Sequence, residues 1–281
     1  MKKVLAFDID QTLNVAKTPI TDDIAKLLID CLDAEFEICP ISGQKFDQFL
    51  VQIVNPMLAA GAAPEIFRHL HLFVAQGTQY YHYDDGKFFG NRIVSVTITT
   101  NKEKYSEDYW KKVYDYPLSD DEVKKITSAL EKSAKKLGFW EEDKLKKDDE
   151  IIENRLSQVT FSALGQHAGT KEKYAWDPDC KKREKIVKEA KKLAPEFDYE
   201  IGGTTSINAF KPGMNKKFGM THLMEELDVD EDDILYFGDM TQPGGNDYPV
   251  VEMGIETITV RDHLETANVL RGILATYDGE D

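Results

Sequence analysis

Along the first third of the chain, short uninterrupted apolar runs alternate with stretches whose apolar positions recur every three or four residues. Val4-Leu5-Ala6-Phe7 is wholly apolar and ends in acids, the pattern of a strand buried on both faces. Ile24, Leu27, Leu28, Cys31 and Leu32 fall on one helical face, and Thr21 stands where its side chain can cap the first turn. A second strand is predicted over Glu37 to Ile41, running into Ser42-Gly43, then a helical stretch, then a third strand near Leu70 to Ala75. The same alternation returns near the C-terminus: a helix from Asn215 to Leu227, and strands at Ile234 to Phe237 and Glu256 to Val260. Strand, helix and strand in this order predict parallel βαβ packing and an open α/β sheet.

The middle of the chain has a different rhythm. Arg92 to Thr100 and Leu156 to Leu164 alternate polar with apolar residues, as strands with one wet face do. Ser119 and Glu122 form a capping box ahead of Val123, Ile126, Leu130, Ala134 and Leu137, and Gly138 stops that helix. Asp177-Pro178 predicts the start of a second helix, and strands follow near Tyr199 to Ile201 and Ser206 to Phe210. The fold expected is α/β: a Rossmann-like parallel-sheet core, residues 1–86 and 210–281, interrupted by an inserted α+β domain at 87–209. Its junctions would lie near Asp84 to Gly90 and Gly203 to Phe210. The stretch Glu141 to Glu150 predicts a solvated loop, and the Lys-rich helix around Arg183 a solvated face.

Charge narrows the function classes. The 281 residues carry 35 Lys and Arg against 51 Asp and Glu, a net −16. A surface that acidic repels nucleic-acid backbones and anionic lipid, so neither nucleic acid nor membrane is an expected partner. An anionic substrate would need a metal or local cations to offset the field. No apolar run approaches the roughly 18 residues of a membrane span, and the apolar run before Asp8 is too short for a signal peptide. Cys31, Cys39 and Cys180 are odd in number and lack metal-site spacing, which predicts a reducing cytoplasm.

Four features fall at the C-terminal ends of predicted core strands, where open α/β sheets place ligands. Asp8-Ile9-Asp10-Gln11-Thr12 sets two carboxylates two residues apart: together they can hold a divalent cation and leave one oxygen free to attack. Ser42-Gly43 offers a hydroxyl and an unhindered backbone N–H to a phosphate oxygen. Lys216, behind Gly213, brings a point charge to a helix start that already favours anions. Gly238-Asp239 through Gly244-Gly245-Asn246-Asp247 is a second acidic cluster on a glycine-rich loop.

These four, in this order on this strand pattern, resemble the motifs of the haloacid dehalogenase superfamily. The resemblance implies that Asp8 is a nucleophile forming an aspartyl-phosphate and Asp10 the acid/base. Thr12, Ser42, Gly43 and Lys216 would bind the phosphoryl group. Mg²⁺ would sit on Asp8, Asp239 and the Asp10 backbone carbonyl, supported by Asn246 and Asp247. The insertion is similar to the large α+β cap of the subclass acting on sugar phosphates. Within that subclass, Phe73 to Gly77, Gly202-Gly203 with Asn208 to Phe210, Gly213 to Lys216 and Phe237 to Asp247 resemble eukaryotic-type phosphomannomutases. A homodimer through the cap is implied by the same likeness.

Several positions depart from that pattern. Gln166 stands where the family carries a cap arginine for a second phosphate, Asn208 where it has an acid, Lys17 where it has an arginine, and Gln11 where glycine is usual. Lysine lacks the bidentate fork and glutamine has no charge. These departures favour a Mg²⁺-dependent phosphatase acting on a small phosphorylated metabolite, a sugar phosphate, with Gln166, His167 and Asn208 touching the leaving group. The alternative is a phosphohexomutase in which Arg155 and nearby lysines hold the second phosphate. A third reading is a non-catalytic metabolite-binding protein.

Overall fold

The computed structural model describes residues 2–83, 109–147, 149–165 and 167–277. They form two compact units, residues 1–115 with 216–281, and residues 116–215.

In the first unit, β1 (Val4–Phe7), α1 (Asp22–Asp33) and β2 (Glu37–Pro40) make the first βαβ step, with Thr21 Oγ1 accepting from Ile24 N as the sequence predicts. Two short helices, α2 (Phe46–Phe49) and α3 (Asn55–Ala59), are joined by a π-helical stretch, Leu50–Val54, and lead to β3 (His71–Val74). Parallel bridges Ile38–Leu70 and Ile41–Phe73 tie β3 beside β2. β4 (Gln79–Tyr83) and β5 (Trp110–Asp115) continue antiparallel from β3. The predicted strand at Arg92 to Thr100 and the junction at Asp84 to Gly90 lie outside the described residues.

The second unit opens with α4 (Asp120–Leu137), whose capping box at Ser119 and Glu122 and left-handed Gly138 stop match the sequence pattern. Strands β6 (Ile152–Asn154), β7 (Gln158–Ser162), β8 (Asp198–Gly202) and β9 (Ser206–Phe210) form an antiparallel sheet in the order β6-β7-β9-β8. Its apolar face, with Val159, Phe161, Ile207 and Ala209, packs under α4 and α6 (Lys181–Leu193). Another helix, α5 (Thr170–Trp176), precedes α6; nothing in the apolar spacing announces it.

Three local expectations are corrected here. The helix expected from Asp177 begins at Lys181, although Asp177 still caps it by accepting from Lys182 N and Arg183 N. Arg183 is buried, not solvated: it pairs with Asp177 Oδ2 at 2.9 Å and donates to the carbonyls of Gly202 and Gly203. Within 141–150, Asp149 has a buried carboxylate that accepts from His167 N, so that stretch is not wholly a solvated loop. The two units divide at 115/116 and 215/216, against the 86/87 and 209/210 expected from the sequence: β5 pairs with β4 in the first unit, and β9 pairs with β7 and β8 in the second.

The chain then returns to the first unit through α7 (Lys216–Leu227), β10 (Ile234–Gly238), α8 (Tyr248–Val251), β11 (Glu256–Thr259) and α9 (His263–Thr276). The parallel sheet runs β11-β10-β1-β2, with Val4–Phe7 paired on both sides and wholly buried. Helix α7 is seated by a glycine contact. A Cβ on Gly219 would lie 2.9 Å from Gly77 Cα and 2.5 Å from Ile41 Cδ1. The Gly219→Ala variant is therefore expected to lose about 1–3 kcal/mol of stability, read by urea unfolding, because α7 must back away from the 75–77 turn.

Candidate active site

The parallel register brings the C-terminal ends of β1, β2 and β10 to one end of the sheet. Asp8 follows directly on β1, and its N–H still bonds Phe237 O at 2.9 Å, so the strand's rigidity fixes where its carboxylate starts. The chain then turns sharply, with Thr12, Leu13 and Asn14 all donating to Ile9 O. This turn needs Gln11 at φ 66°, a left-handed conformation that explains why glycine suits the position. Gln11 holds it and the turn still closes, through Gln11 N to Asn14 O.

The centre of the site is Lys216, fully buried at the head of α7. Its Nζ donates to Asp8 Oδ1 at 2.5 Å and Asp247 Oδ1 at 2.6 Å, and Tyr236 OH lies 3.3 Å away. Asp247 is held from every side: Tyr236 OH also donates to its Oδ1, and Met240 N donates to its Oδ2. A Cβ on Gly238 would meet Asp247 Oδ2 at 2.5 Å, so the Gly-Asp pair ending β10 must have glycine first. Asp8, Asp239 and Asp247 bring carboxylate oxygens within 4.8 Å of one another.

Three acids around one ammonium leave excess negative charge in a buried place. Burial, with Asp247 and Asp239 nearby, pushes the Asp8 carboxyl well above the carboxylate range against the pull of Lys216. Burial and Asp247 push Asp239 up to about 7. Burial opposes the Lys216 charge, but Asp247 and Asp8 outweigh it and raise that pKa. The wider field adds to this. Residues 116–215 contain 19 basic and 19 acidic residues, so the first unit carries the whole net −16.

The donor set suits a hard divalent cation: carboxylates of Asp8 and Asp239, and Asn246 Oδ1, which is buried with no hydrogen-bond partner among the described residues. Both Asp247 oxygens are already engaged by Lys216, Tyr236 and Met240, which suits that residue to support rather than ligation.

The remaining predicted residues are placed as follows. Ser42 is nearly buried, its N–H donating to Phe73 O and its carbonyl accepting from Gln76 N, and Gly43 follows it in the same loop. Thr12 is buried; its carbonyl accepts from Thr266 Oγ1, and its own Oγ1 has no partner among the described residues. Lys17 contributes its backbone, the N–H donating to Asp10 Oδ1 at 2.7 Å from a left-handed φ of 61°. Arg155 pairs with Glu153 Oε2 at 2.6 Å, and Asn208 Oδ1 accepts from Thr160 Oγ1 at 2.9 Å. Cross-strand register sets Glu153, Thr160, Asn208 and Glu200 in one polar row across β6-β7-β9-β8. His167 is not on that sheet: it is exposed, beside Asp149. Gln166 lies outside the described residues.

Two residues had no signal in the sequence. Gln44 Nε2 donates to Asp10 Oδ1 at 3.0 Å, and Tyr236 holds Asp247. A lone Gln behind a Ser-Gly turn, or a Tyr inside a buried strand, looks like any other loop or core residue until strands are registered.

A family model described as eukaryotic phosphomannomutase matches residues 104–275, more than half of the chain. The chain is 24% identical over 284 residues to the phosphomannomutase of Babesia bovis, covering 98% of this chain and 99% of that protein. It is 32% identical over 105 residues to the phosphomannomutase of Drosophila melanogaster, a match spanning 36% of this chain and 41% of that one. Among solved structures, a mutant form of the Plasmodium falciparum IMP-nucleotidase bound to IMP is similar in fold, with TM-score 0.64, 15% identity, and coverage of 98% of this chain and 67% of that one. A haloacid dehalogenase-like hydrolase from Bacteroides thetaiotaomicron matches with TM-score 0.57, 12% identity, and coverage of 97% and 100%. The family match and the phosphomannomutase relatives overturn the expectation of a phosphatase: they favour the alternative, isomerisation. The departures at Gln166, Asn208 and Lys17 do not outweigh a likeness that runs nearly the full chain.

Proposed function

Since the chain belongs to the eukaryotic phosphomannomutase family of the haloacid dehalogenase superfamily, we propose that it is a Mg²⁺-dependent phosphohexomutase working through an aspartyl-phosphate on Asp8. The observation that carries the reading is Lys216, buried between Asp8 and Asp247 with Asp239 beside them. Phosphoryl transfer is chiefly positioning and charge compensation, and this arrangement supplies both.

In the first step an Asp8 oxygen attacks the phosphorus of a hexose bisphosphate. The ester P–O bond breaks, its electron pair goes to the sugar oxygen, and Asp10 gives that oxygen a proton. In the second step a hydroxyl of the bound sugar phosphate attacks the aspartyl-phosphate and its proton passes to Asp10. The P–O bond to Asp8 breaks with its pair returning to the carboxylate. Lys216 stays on Asp8 and, with Ser42 and Gly43, holds the transferring oxygens. Asp8, Asp239 and the Asp10 carbonyl would hold Mg²⁺, whose positive charge would offset that of a dianionic phosphate entering an acidic unit. In the second unit, Arg155 would reach the other phosphate only by giving up Glu153, which it holds at 2.6 Å, and Arg183 is committed to Asp177 and the Gly202–Gly203 carbonyls.

The test incubates the protein with Mg²⁺ and hexose 1-phosphates, with and without hexose 1,6-bisphosphate, and follows the 6-phosphate. Isomer formed in proportion to added bisphosphate is expected. No isomer from any hexose 1-phosphate would overturn the reading.

The raised carboxyls also predict a pH dependence. Unfolded, Asp239 ionises near its ordinary 3.8; folded, it keeps its proton to about 7. The metal-free protein should therefore lose stability as pH rises from about 4 to about 7 through this group, and Asp8, also raised by burial, acts in the same direction. A cation competes with that proton, so Mg²⁺ should raise the melting temperature more at pH 8 than at pH 6, as thermal melts with Mg²⁺ and with chelator would show.

A further inference from the structure

We infer that Gln44 is a positioning residue for the acid/base Asp10, an inference that rests on the phosphoryl-transfer reading above. Asp10 Oδ1 accepts two N–H donors, Lys17 N at 2.7 Å and Gln44 Nε2 at 3.0 Å, while no hydrogen bond reaches Oδ2 among the described residues. Two donors on one oxygen fix the rotation of the carboxyl group and leave Oδ2 as the oxygen that meets the reacting hydroxyl. The orientation of the Gln44 amide follows from chemistry: its Oε1 turned towards Asp10 would set acceptor against acceptor.

The loop holding Gln44 is itself fixed. Gln44 O accepts from Ala75 N and Ser42 O accepts from Gln76 N, and both donors sit at left-handed φ, 49° and 64°. One side-chain carrier therefore joins the Ser42-Gly43 phosphate loop to Asp10 on the nucleophile loop. The arrangement has a stability cost. Gln44 is nearly buried and its Oε1 has no hydrogen-bond partner among the described residues, so that acceptor loses its water without replacement. A buried amide half satisfied, with its satisfied half on Asp10, is a side chain placed for the reaction and not for the fold. The Lys17 donor is backbone, so Gln44 is the member of the pair that mutation can remove.

The test uses Gln44→Met, which keeps the length and loses the donor, and Gln44→Glu, which sets a carboxylate against Asp10. Each is measured for cleavage of two phosphoryl donors, hexose 1,6-bisphosphate and p-nitrophenyl phosphate. A sugar oxygen needs a proton in order to leave; p-nitrophenolate leaves without one. A misaligned acid costs about 10- to 100-fold, so the bisphosphate rate should fall by that factor relative to the aryl rate. Gln44→Glu should fall further than Gln44→Met, with KM for the bisphosphate little changed and the melting temperature of Gln44→Met no lower than that of the natural chain. Equal losses with both donors, or a raised KM with unchanged kcat, would mean that Gln44 shapes the phosphate loop and would overturn the inference. Donor cleavage is read apart from isomer formation. A chain that cleaves the bisphosphate without isomerising would refute the mutase reading and leave the Gln44 result standing.

Discussion

Asp8→Asn is expected to abolish isomerisation, by about 10⁴- to 10⁶-fold, the scale on which removing a nucleophile acts, while leaving the protein at least as stable. The two halves of that outcome come from the same geometry. Asp8 is the carboxylate at the end of β1 that Lys216 contacts at 2.5 Å, and an amide there cannot form the acyl-phosphate bond. The amide oxygen can still accept from Lys216, and Lys216 keeps Asp247 at 2.6 Å, so no buried charge is left alone. Burial and two neighbouring acids already oppose a charge at Asp8, and a neutral side chain removes that cost. The substitution should also weaken the Mg²⁺ effect on melting by removing a ligand, while Asp239, raised by burial and Asp247, stays at about 7. Activity assays, mass spectrometry for the phosphorylated protein, and thermal melts of the same sample check the three consequences. Activity above about one per cent of the natural chain, with the fold intact, would put the nucleophile elsewhere.

Much of this was readable in the linear sequence because it rests on short-range rules. Strand β1, the Thr21 cap, the capping box at Ser119 and Glu122 and the Gly138 stop depend on residues within a few positions of one another. The four acidic and basic motifs were legible because parallel strands deliver their C-terminal ends to one edge whatever the loops do. What could not be read depends on contacts between distant segments. Arg183 sits in a run of lysines and looks solvated, but Asp177 and the carbonyls after β8 enclose it. Gln44 and Asp10 are 34 residues apart, and no periodicity connects them. Reaction type was harder still. Single departures such as Gln166 bear on one contact with a second phosphate, and a residue-by-residue reading gave them more weight than the likeness of the whole chain allows.

Lys216→Met should be the most damaging single change, in stability as well as activity, and the damage should grow with pH. Methionine has a similar length but offers neither a charge nor a donor, so Asp8, Asp239 and Asp247 would face one another without a cation. Breaking a buried pair by removing one partner costs about 3–5 kcal/mol. The protein can reduce that loss by keeping protons on the carboxyls, and this sets the sign. In the variant the folded-state pKa values rise beyond those of the natural chain, whereas the unfolded carboxyls still ionise near their ordinary 3.8. The folded state then binds more protons than the unfolded one across the whole interval above that value, so stability falls steadily as pH rises through it. Urea unfolding should show a small deficit at pH 5 and a deficit of about 3 kcal/mol or more at pH 8, partly restored by Mg²⁺ through Asp8 and Asp239. Lys216→Arg should not rescue it: the position is fully buried between two carboxylates and Tyr236, and a planar guanidinium is larger than the point charge that fits there. An equal deficit at both pH values would mean that packing around α7, and not charge, is what Lys216 supplies.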